Sequence, residues 1–389
     1  MKVVILTVLI FFLIVNFGAA TLSKSDREKK KKVDEPIKER ASASSSPKAD
    51  NGEKSEVLLE YDTLDISERN FQEGITIGYV TPWNNHGYDV AKWAAKKFTH
   101  IAPVWFQINS ANLEGQLSCE IGGTHDFDHG WVEDIRSNNS EIKITPRFLF
   151  ERWQGEELKS FLTEEGAARR CGKAIVEFLQ RNELDGAVVE MWLQIMSMTR
   201  GSAAEFLLEI IELWTKQFHS AGLEFIIPLT PPLDPTLKEV GIVTPKILMT
   251  LAEHVDYINV MTYDYPSQEI SGVSPIRWVE ANLRYILEVS QANPSKIALG
   301  LNFYGYDRTN AAMDAILGKR FLELLSTKNS KLEWDEEAGE HRVLYGNNGI
   351  AYFPTLRSIE LRINLARQLG VGVGIWELGQ GLDYFTKAL

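Results

Sequence analysis

The sequence predicts an α/β protein, a (β/α)8 barrel with a small insertion after its seventh strand and a disordered N-terminal tail. Three observations support this. Eight short apolar runs rich in β-branched and aromatic residues occupy residues 75–80, 99–106, 142–148, 187–192, 225–229, 257–262, 297–302 and 371–376. Amphipathic helical stretches separate them, and strands that alternate with helices imply a parallel sheet with the helices outside. The spacing suits a closed ring of eight units, roughly 250 residues or more, whose functional face lies at the C-terminal ends of the strands.

The chain has 389 residues, 44% hydrophobic and 24% charged, which suffices for one large core and an appendage. Its 41 Lys and Arg against 53 Asp and Glu leave a net charge of −12. Nucleic acid and anionic membrane surfaces both reward clustered cations, so neither is an expected partner. The charge says little about a neutral sugar.

Residues 1–20 carry Lys2, an apolar run over 3–15 and the small residues Gly18-Ala19-Ala20. This is the layout of a cleaved secretory signal; a membrane anchor is the other reading, but the run is shorter than the ~20 residues a span needs. Secretion or delivery to lysosomes is expected, with no membrane span left after cleavage. Residues 21–60 are rich in Lys, Glu, Ser and Ala, and read as a disordered linker ahead of a barrel domain over 61–389, because they hold too little apolar surface to offset the entropy of ordering. Truncation at Leu59 is therefore expected to leave stability unchanged. Lys29-Lys30-Lys31-Lys32 reads as part of that solvated linker, with a nuclear signal or a processing site as alternatives.

Within the barrel region, Cys119 follows the second run and Cys171 lies on a helix one unit later. An oxidising compartment permits their pairing without requiring it. His125-Asp126-Phe127-Asp128-His129 packs four potential metal ligands into one stretch, but it runs into a helix for which Asp128 is a suitable N-cap. Asn138-Asn139-Ser140 makes Asn138 a candidate glycosylation site. Glu151, at the mouth of the third strand, is an unassigned carboxylate. Trp83, Trp105, Trp153, Trp192, Tyr263, Tyr265, Tyr304 and Trp376 fall at or just beyond strand C-termini. Flat aromatic faces suit the C–H faces of pyranose rings, with core packing the alternative for each.

The fourth run, Asp185-Gly186-Ala187-Val188-Val189-Glu190-Met191-Trp192, carries the sharpest signal. Alternate side chains of a strand share a face, so Val188, Glu190 and Trp192 are expected to point into the barrel. Glu190 is then either a ligand contact or a buried carboxylate satisfied by hydrogen bonds.

This run resembles the D-G-x-D-x-D-x-E signature strand of the family 18 glycoside hydrolases, the chitinases. Asp185 and Gly186 match, Val188 and Glu190 replace the second and third Asp, and Trp192 stands where the family has its proton-donating Glu. Gly78-Tyr79 with Trp83 resembles the family's first strand, Met261-Thr262-Tyr263-Asp264 its sixth, Gly300-Leu301-Asn302-Phe303-Tyr304-Gly305 its seventh and Gly374-Ile375-Trp376-Glu377 its eighth. Together the matches cover nearly all of residues 75–385. The D-G-x-V-V-E-x-W form is similar to a stabilin-interacting branch of chitinase-like proteins, which implies a saccharide-binding protein with a stabilin-type scavenger receptor as a partner.

In the family, the resemblance implies, the sugar's own N-acetyl oxygen attacks the anomeric carbon while the Glu protonates the leaving oxygen. An indole cannot donate that proton, and Glu190 lies two residues, about 6.6 Å, deeper. The expected function is thus a catalytically inactive, lectin-like barrel for chitin oligosaccharides or related glycans such as lipopolysaccharide, with Asp185, Glu190 and Trp192 as a degenerate catalytic site. The saccharide contacts so implied are Trp83, Glu190, Trp192, Tyr263, Asp264, Tyr304 and Trp376. Trp376 would be the floor under an N-acetylglucosamine ring, with Tyr263 and Asp264 at its N-acetyl group; a tie to Arg277 or a helix cap is the alternative for Asp264. The family implies no metal or other cofactor. A slow glycosidase using Glu190 or Glu151, and a secreted protein whose main ligand is a receptor, are the competing functions. Many active chitinases insert a sizeable α+β module after the seventh strand, whereas residues 306–352 here suggest only a helix over 311–325 and a hairpin through Glu333-Trp334 and 343–345.

Overall fold

A computed structural model describes residues 51–389 except 152, 154, 268 and 310–312. The expected signal segment, the tetralysine run and the expected linker up to residue 50 lie outside the described residues. The ring is built of Thr76–Val80, His100–Pro103, Lys143–Ile144 continuing as Arg147–Phe150, Gly186–Glu190, Glu224–Leu229, Tyr257–Val260, Ile297–Asn302 and Gly372–Trp376. Each pairs in parallel with the next. Thr76–Val80 pairs with Gly372–Trp376, and the barrel closes. All eight expected runs are therefore strands of one ring.

Alternation along each strand sorts the side chains into two buried layers. Ile75, Ile77, Tyr79, Ala102, Val188, Ile226 and Ala298 fill the barrel interior. The other faces join the helices in the main core, as on Ala167–Arg181, where Cys171, Ile175 and Leu179 recur every four residues along the buried stripe. Two glycines permit close approaches that a side chain would block. A Cβ on Gly186 would lie 2.3 Å from the Glu224 carbonyl oxygen, and one on Gly374 would lie 2.4 Å from Asn259 Oδ1 inside the barrel.

The second unit carries a hairpin, Phe106–Leu113 with Gln116–Gly122, turned by Glu114 and Gly115 at φ 52° and 83°. Two successive residues with positive φ give the twist that tight hairpins favour. Cys119 on this hairpin forms a disulfide with Cys171 on the helix beyond the third strand.

Two expectations need correction. Asn51–Glu60 is a packed helix, not linker. Val57 is only 4% exposed, Lys54 Nζ donates to the Ser330 carbonyl and hydroxyl at 2.9 and 2.8 Å, and Glu53 meets Arg357 at 2.9 Å and His341 at 2.8 Å. The polar composition of residues 21–60 as a whole hid the short apolar cluster Val57-Leu58-Leu59. Truncation at Leu59 would thus remove contacts worth about 1.5–3 kcal/mol for the buried valine alone. The insertion, in turn, is a five-stranded antiparallel sheet with one helix, Gly318–Leu325. The hairpin is present as Lys331–Asp335 with Glu340–Tyr345, but Gly349–Phe353, Gly305–Asp307 and Asp314–Ile316 extend it. The last of these strands lies within the span read as helix.

Candidate functional site

At the C-terminal mouth of the barrel, the third and fourth strands run side by side with Arg147 opposite Val188 and Leu149 opposite Glu190. Phe148 and Phe150 pack into the outer core, so Arg147 takes the inward alternation. Its Nε lies 2.8 Å from Glu190 Oε2, close enough for an ion pair but out of line for a hydrogen bond. Gln194 Nε2 donates to the other oxygen, Oε1, at 2.9 Å. Both carboxylate oxygens of Glu190 are thereby engaged.

The guanidinium also lies 5.6 Å from the centroid of the Trp376 ring, within range of a cation–π contact. Trp376 is the last residue of the eighth strand and is partly buried. Below it Tyr79 tilts at 55° with centroids 5.4 Å apart, its hydroxyl accepting from Asn259 Nδ2 at 3.0 Å. Burial pushes the Tyr79 hydroxyl upward in pKa, so it stays a neutral phenol.

Trp376 packs on its other side against a cluster that includes Tyr263, Tyr304, Tyr306 and Tyr352. Asp264, in the left-handed region at φ 57°, accepts the hydroxyls of Tyr304 and Tyr306. Burial pushes its carboxyl up, against the opposing effect of those two donors. Tyr306 comes from the insertion, which therefore completes this wall. Glu377, following Trp376, accepts from Asn84 Nδ2 at 2.6 Å and from the Gly379 amide at 3.0 Å, and burial raises its carboxyl to about 8.

The structure brings Glu190, Tyr263, Asp264, Tyr304 and Trp376 to the mouth and leaves other expected residues elsewhere. The fourth strand ends at Glu190, Met191 leaves it at φ −132° and ψ −27°, and Trp192 opens the helix Trp192–Met198. Trp192 is 1% exposed in the outer core, donating its indole N–H to the Ile242 carbonyl at 3.1 Å. It neither points into the barrel nor reaches a ligand there, because strand alternation stops where the chain turns. Asp185 lies at the opposite end of the strand, where its Oδ2 accepts from Arg136 at 2.9 Å and from the Ile144 amide at 2.7 Å. That is a structural tie. Asp264 is bound by tyrosines and not by Arg277 or a helix end.

Trp83, 51% exposed, sits on the loop after the first strand. Trp105 and Trp153 are core residues whose indoles donate to the Tyr88 hydroxyl and the Ile108 carbonyl, both at 2.8 Å. Tyr265 packs edge-on against Trp278. Glu151 directly follows the third strand and is partly exposed. Asp128 caps the helix His129–Asn138 through the Trp131 amide at 3.1 Å, as expected. Asn138 is exposed, but its Nδ2, the atom that would carry a glycan, donates to the Lys92 carbonyl at 3.0 Å. Sequence reasoning missed Arg147 and Tyr306. The available signal for Arg147 was a charge near the C-terminal end of the run 142–148, four residues beyond its other charge, Lys143.

Residues 75–381 match the glycosyl hydrolases of family 18. The chain is 28% identical over 178 residues to the cortical fragment-lytic enzyme of Bacillus subtilis (strain 168), which covers 42% of this chain and 40% of that one. It is 30% identical over 141 residues to the cortical fragment-lytic enzyme of Bacillus anthracis, covering 32% of each. The chain thus spans less than half the length of these relatives. Among solved structures, the chitinase from Chromobacterium violaceum ATCC 12472 is similar with a TM-score of 0.66 at 18% identity, over 81% of this chain and 97% of that one. The GH18 chitinase from Cycas revoluta in complex with (GlcNAc)3 gives 0.64 at 14% identity, over 81% and 98%. At such identities the likeness speaks for the fold alone.

Proposed function

The chain belongs to the family 18 glycosyl hydrolases, and from that premise we propose that it is a saccharide-binding barrel which holds N-acetylglucosamine oligosaccharides at its C-terminal face without hydrolysing them. One observation carries this reading. The aromatic floor and wall, Trp376 with Tyr263 and Tyr304, stand together at the mouth, while the only carboxylate of the fourth strand that faces them has both oxygens held by Arg147 and Gln194. A general acid has to reach the leaving oxygen with a free protonated atom, roughly 2.6–3.2 Å away. Both oxygens of Glu190 face donors, and Trp192 is buried behind the strand. The binding of (GlcNAc)3 by the Cycas revoluta chitinase supports the ligand class.

Titration with chitotetraose by calorimetry, alongside an assay on fluorogenic chitotriosides, tests the proposal. Saturable binding without turnover is expected. A residual glycosidase is the second reading, favoured by the lytic relatives; turnover that disappears in Glu190→Gln or Glu151→Gln would put it first. Secretion or lysosomal delivery belongs to the proposal, supported by the signal-like residues 1–20 and by a disulfide suited to an oxidising compartment. A stabilin-type receptor is proposed as a partner on the strength of the fourth-strand sequence form.

A further inference from the structure

We propose that Arg147 makes this mouth selective for acidic N-acetylhexosamine oligosaccharides, its guanidinium receiving a carboxylate of the sugar that rests on Trp376. The inference rests on the saccharide-binding reading and adds a charge requirement to it. The family pattern places acids along the fourth strand, whereas here Val188 is apolar and its partner across the sheet is a cation. At the mouth end of the third and fourth strands the inward charges form one Arg–Glu pair.

The bland alternative is that Arg147 merely neutralises Glu190. A second arginine in the same chain shows what a purely structural role looks like. Arg362 is buried, pairs with Glu340 at 3.0 Å and spends its terminal nitrogens on the carbonyls of Gly339, Ser358 and Ala338 as well as Ser274. Arg147 instead meets Glu190 through Nε, and its two Nη groups make no hydrogen bond to the described residues. Its side chain is 12% exposed. Guanidinium carries five N–H donors in a planar fork that matches a carboxylate, so a free outer edge is a recognition surface. The Trp376 face and the Glu190 ion pair hold that fork in place before any ligand arrives, which lowers the entropy cost of using it.

The acids nearby do not oppose an anionic ligand strongly. Both oxygens of Glu190 already face donors, and Asp264 and Glu377 have carboxyls that burial pushes toward the neutral form. Glu151, at the rim, is the remaining acid on this strand end.

The test compares matched sugars by calorimetry on the full-length protein. Chitotetraose is set against chitotetraose oxidised to carboxylates at C6, and chitobiose against the disaccharide of N-acetylglucosamine and N-acetylmuramic acid. At low salt at least one acidic sugar should bind about tenfold or more tighter than its neutral counterpart, with the advantage shrinking as salt rises. Arg147→Gln should bring the acidic-to-neutral ratio to about one, and the double variant Arg147→Gln/Glu190→Gln should do the same without leaving an unpaired carboxylate to disturb the fold. If chitotetraose binds and neither acid binds tighter, or if the ratio survives both variants, the charge inference is overturned while the saccharide reading stands. If no sugar of either kind binds, both fall.

Discussion

Two tryptophans stand at or just past the ends of two strands on opposite sides of the barrel, and they have had different fates. Trp376 is the last residue of the eighth strand and stays within the ring, half-open at the mouth between Tyr79 and Tyr263. Trp192 lies two residues past the end of the fourth strand and has rotated with its helix into the outer core. The residue type is the same; the point at which the chain turns is not. One wall of the mouth therefore presents the ring of Trp376, and the other carries Val188, a tethered Glu190 and Arg147.

The strongest way to break this comparison is to treat Trp192 as if it lined the site. Trp192→Glu should not create a glycosidase, and it should destabilise the protein by about 3–5 kcal/mol, since it deletes a large buried side chain and buries an acid in its place. Denaturant midpoints and the chitotrioside assay check both halves. A stable variant that turns over substrate would return Trp192 to the mouth.

On the other side, Trp376→Ala should weaken chitotetraose binding by about 2 kcal/mol, roughly 30-fold in Kd, in protein shown to be folded by circular dichroism. A rim substitution, Trp83→Ala, serves as comparison and should cost less. Equal affinities in parent and folded Trp376→Ala would move the ligand elsewhere.

Glu377 sharpens the comparison through pH. Burial lifts its carboxyl from an ordinary 4.5 to about 8, so between those values the folded protein holds a proton that the unfolded chain has lost. Stability should fall as pH rises through that window, by up to about 1.4 kcal/mol per pH unit from this one group. Glu377→Gln should flatten that slope in thermal melts taken from pH 4.5 to 8; an unchanged slope would assign it to other groups.

The smallest effect is expected at Asp264. Because burial favours its neutral form and its partners are hydroxyl donors that an amide oxygen also accepts, Asp264→Asn should change stability at pH 7 by about 1 kcal/mol or less. Urea unfolding decides. A loss of several kcal/mol would mean that the charged carboxylate is what the two tyrosines require.

Much of this was legible in the chain because its signals are local. Short apolar runs between amphipathic helical stretches located all eight strands, and the place of Trp376, Tyr263, Asp264 and Tyr304 at the mouth followed from the motifs that flank them. Trp192 was misplaced because alternation says which way a side chain points only while the strand lasts, and nothing in Glu190-Met191-Trp192 marks the turn. Arg147 was missed for a related reason: Pro146 splits its strand, and the pairing that sets it opposite Val188 is a relation between distant segments. The helix Asn51–Glu60 escaped because its burial depends on Ser330, His341 and Arg357, nearly 300 positions away.

The disulfide has a bearing on that split strand. Cys119 and Cys171 are 52 residues apart, and the covalent loop they close contains the helix His129–Asn138, both halves of the third barrel strand and the helix Gly155–Thr163. In a chain-entropy account, a tether of this length denies the unfolded chain about 4 kcal/mol of freedom. The third strand, whose central Pro146 has no N–H to give the ladder, is the ring member enclosed by this crosslink. Arg147 thus sits on a segment whose two ends cannot drift apart.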